Sequence, residues 1–306
     1  MSGDEPPLLA GLLMAGRLRS RRWRRVAGWT IIGGAAAAIL LVLFQGWLLV
    51  RLSWPHRASE GAPEFGINYS CRQAEYLLLE TPGGPFLADD RPGRTAWCAE
   101  TLDRLLGGLS ADYVRLSVEW AEVEPREGEF DFALIDALLE TALRNGTSVL
   151  LSVGMKGQRH PEYYLPAWLL ERVALAEGTD VAANPEVRRR ALAMVGAVVA
   201  HTAESAAIDA WMAENEPYHR SPRASNWYLG RDYVAEVVAV IRAADPQKRP
   251  VAINHAERYV VDRRWEWALA DGDIVATSVY PWRRGRITSA SFLSRPFLGP
   301  AWRFQR

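Results

Sequence analysis

Cysteine is almost absent from the 306 residues: Cys71 and Cys98 are the only two. A scaffold built on several disulfides is thereby excluded. With no His or Cys partner at ligand spacing, neither reads as a metal ligand, and no metal or organic cofactor is expected. The pair can form one bond, closing a loop that contributes roughly 3–4 kcal/mol in the chain-entropy model, or remain two buried thiols. No Gly-rich phosphate fingerprint of the G-x-G-x-x-G kind opens a strand, which argues against a dinucleotide-binding sheet. Net charge is missing too, with 36 Lys and Arg against 36 Asp and Glu. No short-period repeat or low-complexity tract occurs beyond one apolar run.

That run is Val26 to Val50, which holds no charged residue. About 20 apolar residues span a bilayer as a helix, so a transmembrane signal anchor is expected over 26–50. Trp29 and Trp47 lie near its ends, where amphipathic rings favour the headgroup zone. Six arginines precede it (Arg17, Arg19, Arg21, Arg22, Arg24 and Arg25) against Asp4 and Glu5, a net of +4. The positive-inside rule then keeps residues 1–25 in the cytoplasm and exports the chain from about Arg51 onward. The exported part carries the compensating −4, so no basic surface suits nucleic acid. Residues 51–64 read as a linker and 65–306 as one domain.

Within that domain the hydrophobic pattern alternates. Strands are expected at Phe65–Tyr69, Tyr113–Val118, Thr147–Val153, Ile208–Met212, Val251–Asn254 and Ile274–Val279. Helices are expected at Ala99–Leu109, Phe132–Arg144, Val187–Thr202 (with Pro185 behind Asn184 at its start), Tyr233–Ala244 and Asp262–Ala270. Such alternation predicts an α/β fold with a parallel sheet. Lacking the dinucleotide fingerprint, it is best closed as a (β/α)8 TIM barrel, incomplete here at about six βα units. Chemistry in that fold sits where strands end. Tryptophan is abundant, at 13 residues, a mild pointer to sugar stacking that core packing explains equally well.

One strand end is acidic. Ile208–Met212 runs into Glu214, Asn215, Glu216 and Pro217, and a carboxyl in a semi-buried barrel mouth can act as a proton donor. The short Asn-Glu-Pro string alone fits a solvated loop as well. Further residues accompany it in order: Phe65-Gly66-Ile67-Asn68-Tyr69; Arg115 on the second strand; Trp120 after it; Pro125 to Phe132; Gly154-Met155-Lys156 with Pro161 to Trp168; Asn215-Glu216; and Ser278-Val279-Tyr280-Pro281-Trp282. From about Phe65 to Trp282 the chain resembles the clan A glycoside hydrolases, the superfamily of family 5 cellulases and family 42 β-galactosidases.

The resemblance implies a role for each matching residue. Glu216 is the general acid/base. Arg115 and Tyr280 orient a nucleophile and keep it ionised, Asn215 binds the hydroxyl beside the reacting carbon, and Trp120 and Trp282 are sugar platforms. Read without the resemblance, Arg115 fits a core salt bridge and the tryptophans plain packing. Met212 stands where some relatives carry a polar residue. Glu214 reads as an outward strand residue or a supporting partner, and His160 and His255 as hydrogen-bonding structural histidines.

Retaining glycosidases need a second carboxyl about 5–5.5 Å from the first, placed in this clan on the seventh strand. No Asp or Glu occurs after Asp273, and Glu257 stands one unit after the acid/base strand, where the pattern puts no nucleophile. The expectation is therefore a retaining O-glycosyl hydrolase of β-linked oligo- or polysaccharides, membrane-anchored with an extracytoplasmic barrel, truncated before its nucleophile strand and inactive as it stands. The alternatives are a non-catalytic membrane-anchored carbohydrate-binding barrel and a structural scaffold.

Overall fold

The computed structural model describes residues 39–40, 43–45, 64–78, 90–158, 161–256 and 264–278. By its internal contacts the chain divides into Met1–Gly61 with Arg295–Gly299, and Ala62–Ser294 with Pro300–Arg306. Of the first unit, residues 39–40 and 43–45 are helical, with Ile39, Leu40, Leu43 and Phe44 exposed. Among the described residues no helix is long and apolar enough to cross a membrane. The transmembrane helix expected over 26–50 is thus not shown, and most of that segment lies outside the described residues.

The second unit is an α/β fold around a six-stranded parallel sheet. Its strands are β1 (Gly66–Asn68), β2 (Tyr113–Ser117), β3 (Ser148–Val153), β4 (Ile208–Ala213), β5 (Val251–Ala256) and β6 (Ile274–Ser278). They hydrogen-bond in chain order, β1-β2-β3-β4-β5-β6, and every pair is parallel. Each strand is joined to its predecessor through helical chain: α1 (Cys71–Leu78), α2 (Arg91–Leu109), α3 (Trp120–Val123), α4 (Ala133–Arg144), α5 (Ala167–Leu170), α6 (Pro185–Thr202), α7 (Arg231–Ala244) and α8 (Arg264–Asp271). Sequential parallel strands with helical crossovers are the barrel arrangement carried through six units.

The two faces of the sheet carry separate apolar clusters. One face packs against the helices in a large core that includes Val114, Leu116, Val149, Leu151 and Trp211. The other carries a small cluster of Leu150, Ala210, Met212, Ala252 and Ile274. These residues alternate with the outer ones along each strand, as a period of two requires. At the start of β4 the register with β3 slips, Val149 pairing with Ile208 but Leu150 with Ala210. Asp209 is the extra residue of this bulge, and its carboxylate accepts from the Tyr113 hydroxyl at 2.8 Å.

Helix boundaries follow capping chemistry. The Asn184 side chain accepts from the Glu186 and Val187 amides, and Pro185 opens α6. Helix α2 begins eight residues before the predicted Ala99, because Asp90 caps it through the Gly93 amide and Pro92 sits in the first turn. Cys71 and Cys98 are bonded, Cα to Cα 5.4 Å, which joins the start of α1 to α2 and settles the open choice between disulfide and free thiols.

Candidate functional site

Four elements deliver polar side chains to the C-terminal end of the sheet. From β2, Arg115 donates through Nη2 to Asn215 Oδ1 at 2.8 Å. From β5, the Asn254 carboxamide donates through Nδ2 to Asn215 Oδ1 at 3.4 Å and to Ser278 Oγ, on β6, at 3.2 Å. The same carboxamide accepts the Glu216 backbone N–H on its Oδ1 at 2.8 Å. Asn215 and Asn254 are both buried, where these shared bonds offset the cost of removing their carboxamide oxygens from water. Asn68, Arg115, Met212 and Asn254 line the cleft beneath.

The chain after β4 is bent sharply to reach this position. Glu214 and Glu216 have φ of +62° and +45°, left-handed values that cost a residue with a Cβ about 1–2 kcal/mol. Several bonds offset that cost. The Asn215 amide donates to Lys156 O at 2.8 Å and the His219 amide to Glu216 O at 3.0 Å. Buried Lys156 donates through Nζ to the carbonyls of Glu216, 2.6 Å, and His219, 3.0 Å. Among the described residues Glu216 Oε1 is enclosed without a hydrogen-bond partner. A carboxyl oxygen buried in that state is costly in a merely structural role.

The other acid of this segment is enclosed by protein donors. Glu214 is fully buried and accepts from Met155 N at 3.1 Å, Lys156 N at 2.7 Å and Tyr233 Oη, on α7, at 2.8 Å. Burial pushes its carboxyl up, against the pull of these donors, to about 7. Its carboxylate occupies the place a Cβ would take at Gly154, whose φ is +143°, so glycine is required there. Lys156 is brought down to about 8 by burial, with Glu162, Glu216 and Glu214 opposing the fall.

Of the residues expected from sequence, Arg115, Asn215 and Glu216 are brought into one hydrogen-bonded set. Tyr280 and Trp282 lie outside the described residues, as do Glu257 and His160. Trp120 is corrected. Its ring is 0% exposed, its Nε1 donates to Glu124 Oε2 at 2.6 Å, and Trp168 meets it edge-on at 6.3 Å. No ring face is left for a sugar, and packing explains the residue. Glu214 is the supporting partner, and His255 is buried beside Tyr218.

Sequence reasoning passed over three residues. Asn254 was only a strand end and Lys156 only a loop residue. Glu119 stood beside Trp120 without a role, yet it is held by Arg72 Nε at 2.8 Å, with burial raising its carboxyl. A polar residue closing an apolar strand, as in Val251-Ala252-Ile253-Asn254, is the signal that could have found the first.

Residues 104–231 match the family model described as beta-galactosidase, glycoside hydrolase family 42. No curated protein matches the chain. Among solved structures it is similar to the beta-galactosidase from Rahnella sp. R3, with 15% identity, 75% of this chain and 41% of that one covered, and a TM-score of 0.54. A GH5_18 protein from Streptomyces cattleya, in complex with GlcNAc, aligns at 16% identity over 72% of this chain and 52% of its own, TM-score 0.52. The exo-beta-1,4-mannosidase Op5Man5 from Opitutaceae bacterium strain TAV5 aligns at 17% over 72% and 38%, TM-score 0.52. The chain therefore spans about half the length of these structures or less. At such identities the likeness is one of fold: the six βα units match part of the barrels of these structures. The resemblance to clan A glycoside hydrolases, first carried by Arg115, Pro125 to Phe132 and Asn215-Glu216, agrees with the family match, which spans those residues.

Proposed function

We propose that this chain carries the acid/base half of a retaining glycosidase acting on O-linked β-saccharides, with Glu216 as the proton donor and later the base. One observation carries the reading. A strained Glu216, with one carboxyl oxygen enclosed and unpaired among the described residues, stands at the end of a parallel strand and is tied through Asn254 and Asn215 to Arg115. A proton donor must present its carboxyl without a competing internal partner, within reach of the oxygen it protonates. Asn215, already shared between Arg115 and Asn254, contributes its remaining amide hydrogens to a sugar hydroxyl.

The nucleophile is proposed to lie on a seventh strand, beyond the six described, where Arg115 and Tyr280 would hold it ionised. Trp282 is proposed as a sugar platform. The disulfide between Cys71 and Cys98 supports an oxidising compartment for the barrel. Together with the charge-free run 26–50 behind six arginines, it supports a single-pass anchor with the N-terminus in the cytoplasm.

Hydrolysis of 4-nitrophenyl β-galactoside and β-mannoside tests the assignment. The 306 residues alone are expected to give no turnover. A version extended through two further βα units is expected to give turnover that Glu216→Gln abolishes. Turnover by the 306 residues that Glu216→Gln removes would overturn the missing nucleophile but keep the acid/base. Turnover indifferent to Glu216→Gln would overturn the acid/base itself.

A further inference from the structure

The Lys156 side chain is buried, 1% exposed, three residues past the end of β3, and the residue makes four bonds to one short stretch of chain. Its amide donates to Glu214 Oε2 at 2.7 Å and its carbonyl accepts the Asn215 amide at 2.8 Å. Its Nζ donates to the carbonyls of Glu216 and His219 at 2.6 and 3.0 Å. An ammonium costs much to bury, and a purely apolar side chain would fill the space without that cost. What an apolar side chain cannot do is hold two carbonyls of a turn whose residues 214 and 216 sit at positive φ.

We propose that Lys156 is a positioning residue for Glu216: its ammonium clamps the turn 214–219 against the chain just past β3 and so sets the direction in which the Glu216 carboxyl points. The clamp has two jaws. Asn254 holds the Glu216 N–H from β5, and Lys156 holds the Glu216 carbonyl from the chain just past β3. With both ends of one residue fixed, φ and ψ of Glu216 are fixed, and the Cα–Cβ direction is set with them. Glu214 completes the frame from behind by anchoring the Met155 and Lys156 amides. The inference rests on the acid/base reading only for its consequence in catalysis; the clamp itself is a matter of structure.

Only three Glu-Pro bonds occur in the chain, at Glu5, Glu124 and Glu216. Labelling glutamate carbonyls with 13C and proline nitrogens with 15N therefore leaves three coupled signals, two of which serve as controls. Burial brings Lys156 to about 8, and the groups facing it are Glu162, Glu214, Glu216 and the ring of Tyr163, 5.7 Å from Nζ. Between pH 6 and 10 the Glu216 carbonyl signal is expected to move with a midpoint near 8. In Lys156→Met it is expected to be displaced and to lose that step. In Lys156→Arg it should stay near its low-pH position throughout.

A step that persists in Lys156→Met belongs to Glu214 or another neighbour and overturns the clamp, as does a flat signal in the unaltered protein. In a form that hydrolyses 4-nitrophenyl β-glycosides, Lys156→Met is expected to lower kcat by about 10- to 100-fold, the scale on which ångström misplacement acts. KM should stay within about threefold, and Lys156→Arg should restore most of the rate. An unchanged kcat would overturn the positioning role. If instead Glu216→Gln leaves hydrolysis intact, the acid/base reading fails while the carbonyl titration still decides the clamp.

Discussion

Arg115 reaches across β3 to Asn215: its guanidinium, on β2, and the carboxamide just past β4 meet at 2.8 Å although the strands are not neighbours. The long Arg115 side chain spans the intervening strand, so this bond ties β2 directly to the chain just past β4. Asn215→Ala would remove the acceptor shared by Arg115 and Asn254. A hydrogen bond from a charged donor contributes roughly 1.5–3 kcal/mol. Urea unfolding of this variant is expected to show a loss of about that size. A change below about 0.5 kcal/mol would mean that the bond does not organise the strand ends.

Glu214 sets a pH dependence whose sign can be worked out. Burial raises its folded-state carboxyl from an ordinary 4.5 to about 7, so the folded protein favours the protonated form. The contribution is fully present below about 4.5 and is lost as pH rises through 7. Against Glu214→Gln as reference, the unfolding free energy of the unaltered protein should fall between pH 4.5 and 7 and level off above about 8. The variant itself will be less stable. One carboxyl oxygen becomes an NH2 that must face the amide of Met155 or Lys156 or the Tyr233 hydroxyl, a mismatch of about 1–3 kcal/mol. A difference that does not change across this pH range would show that Glu214 stays ionised.

Periodicity was enough to read the six strands and five of the helices between them, α2, α4, α6, α7 and α8, but not the single turns α3 and α5. It was not enough for α1, whose Cys71–Leu78 stretch carries Arg72, Gln73 and Glu75 and is short enough to pass for a loop. Arg115, Asn215 and Glu216 were singled out because their order along the chain resembles a family's motif, and the structure joins them in one hydrogen-bonded set. Lys156 and Asn254 were not, because their roles depend on contacts with residues 60 and 38 positions away. Trp120 misled for a physical reason: an indole is apolar enough for a core and flat enough for a sugar, and sequence does not say which face meets solvent.

Trp120→Phe separates those two uses of the ring. It keeps most of the packing and loses the bond from Nε1 to the buried Glu124. Leaving a buried acceptor short of a donor costs about 1–3 kcal/mol, so the melting temperature should fall. Binding of a 4-nitrophenyl β-glycoside by a form that binds it should be unchanged. A loss of binding with unaltered stability would restore the platform role that the structure removes.

The disulfide offers a stability test close to the site but outside it. Cys71 and Cys98 are 27 positions apart, and a loop of that length corresponds to roughly 3–4 kcal/mol in the chain-entropy model. The bond also sits beneath a polar lattice: Tyr69 Oη donates to Cys98 O at 2.7 Å, Arg94 bridges Glu75 and Glu122, and Arg72 holds Glu119. Those contacts tie α1 and α2 to the loop after β2 without the sulfurs. The paired change Cys71→Ala with Cys98→Ala should therefore lower the melting temperature while β2 and Arg115 keep their places. Measured by urea, a loss near about 3 kcal/mol with the Glu216 carbonyl signal unmoved fits this division. A shift of that signal on removing the bond would instead make the α1 end of the barrel part of what positions the acid.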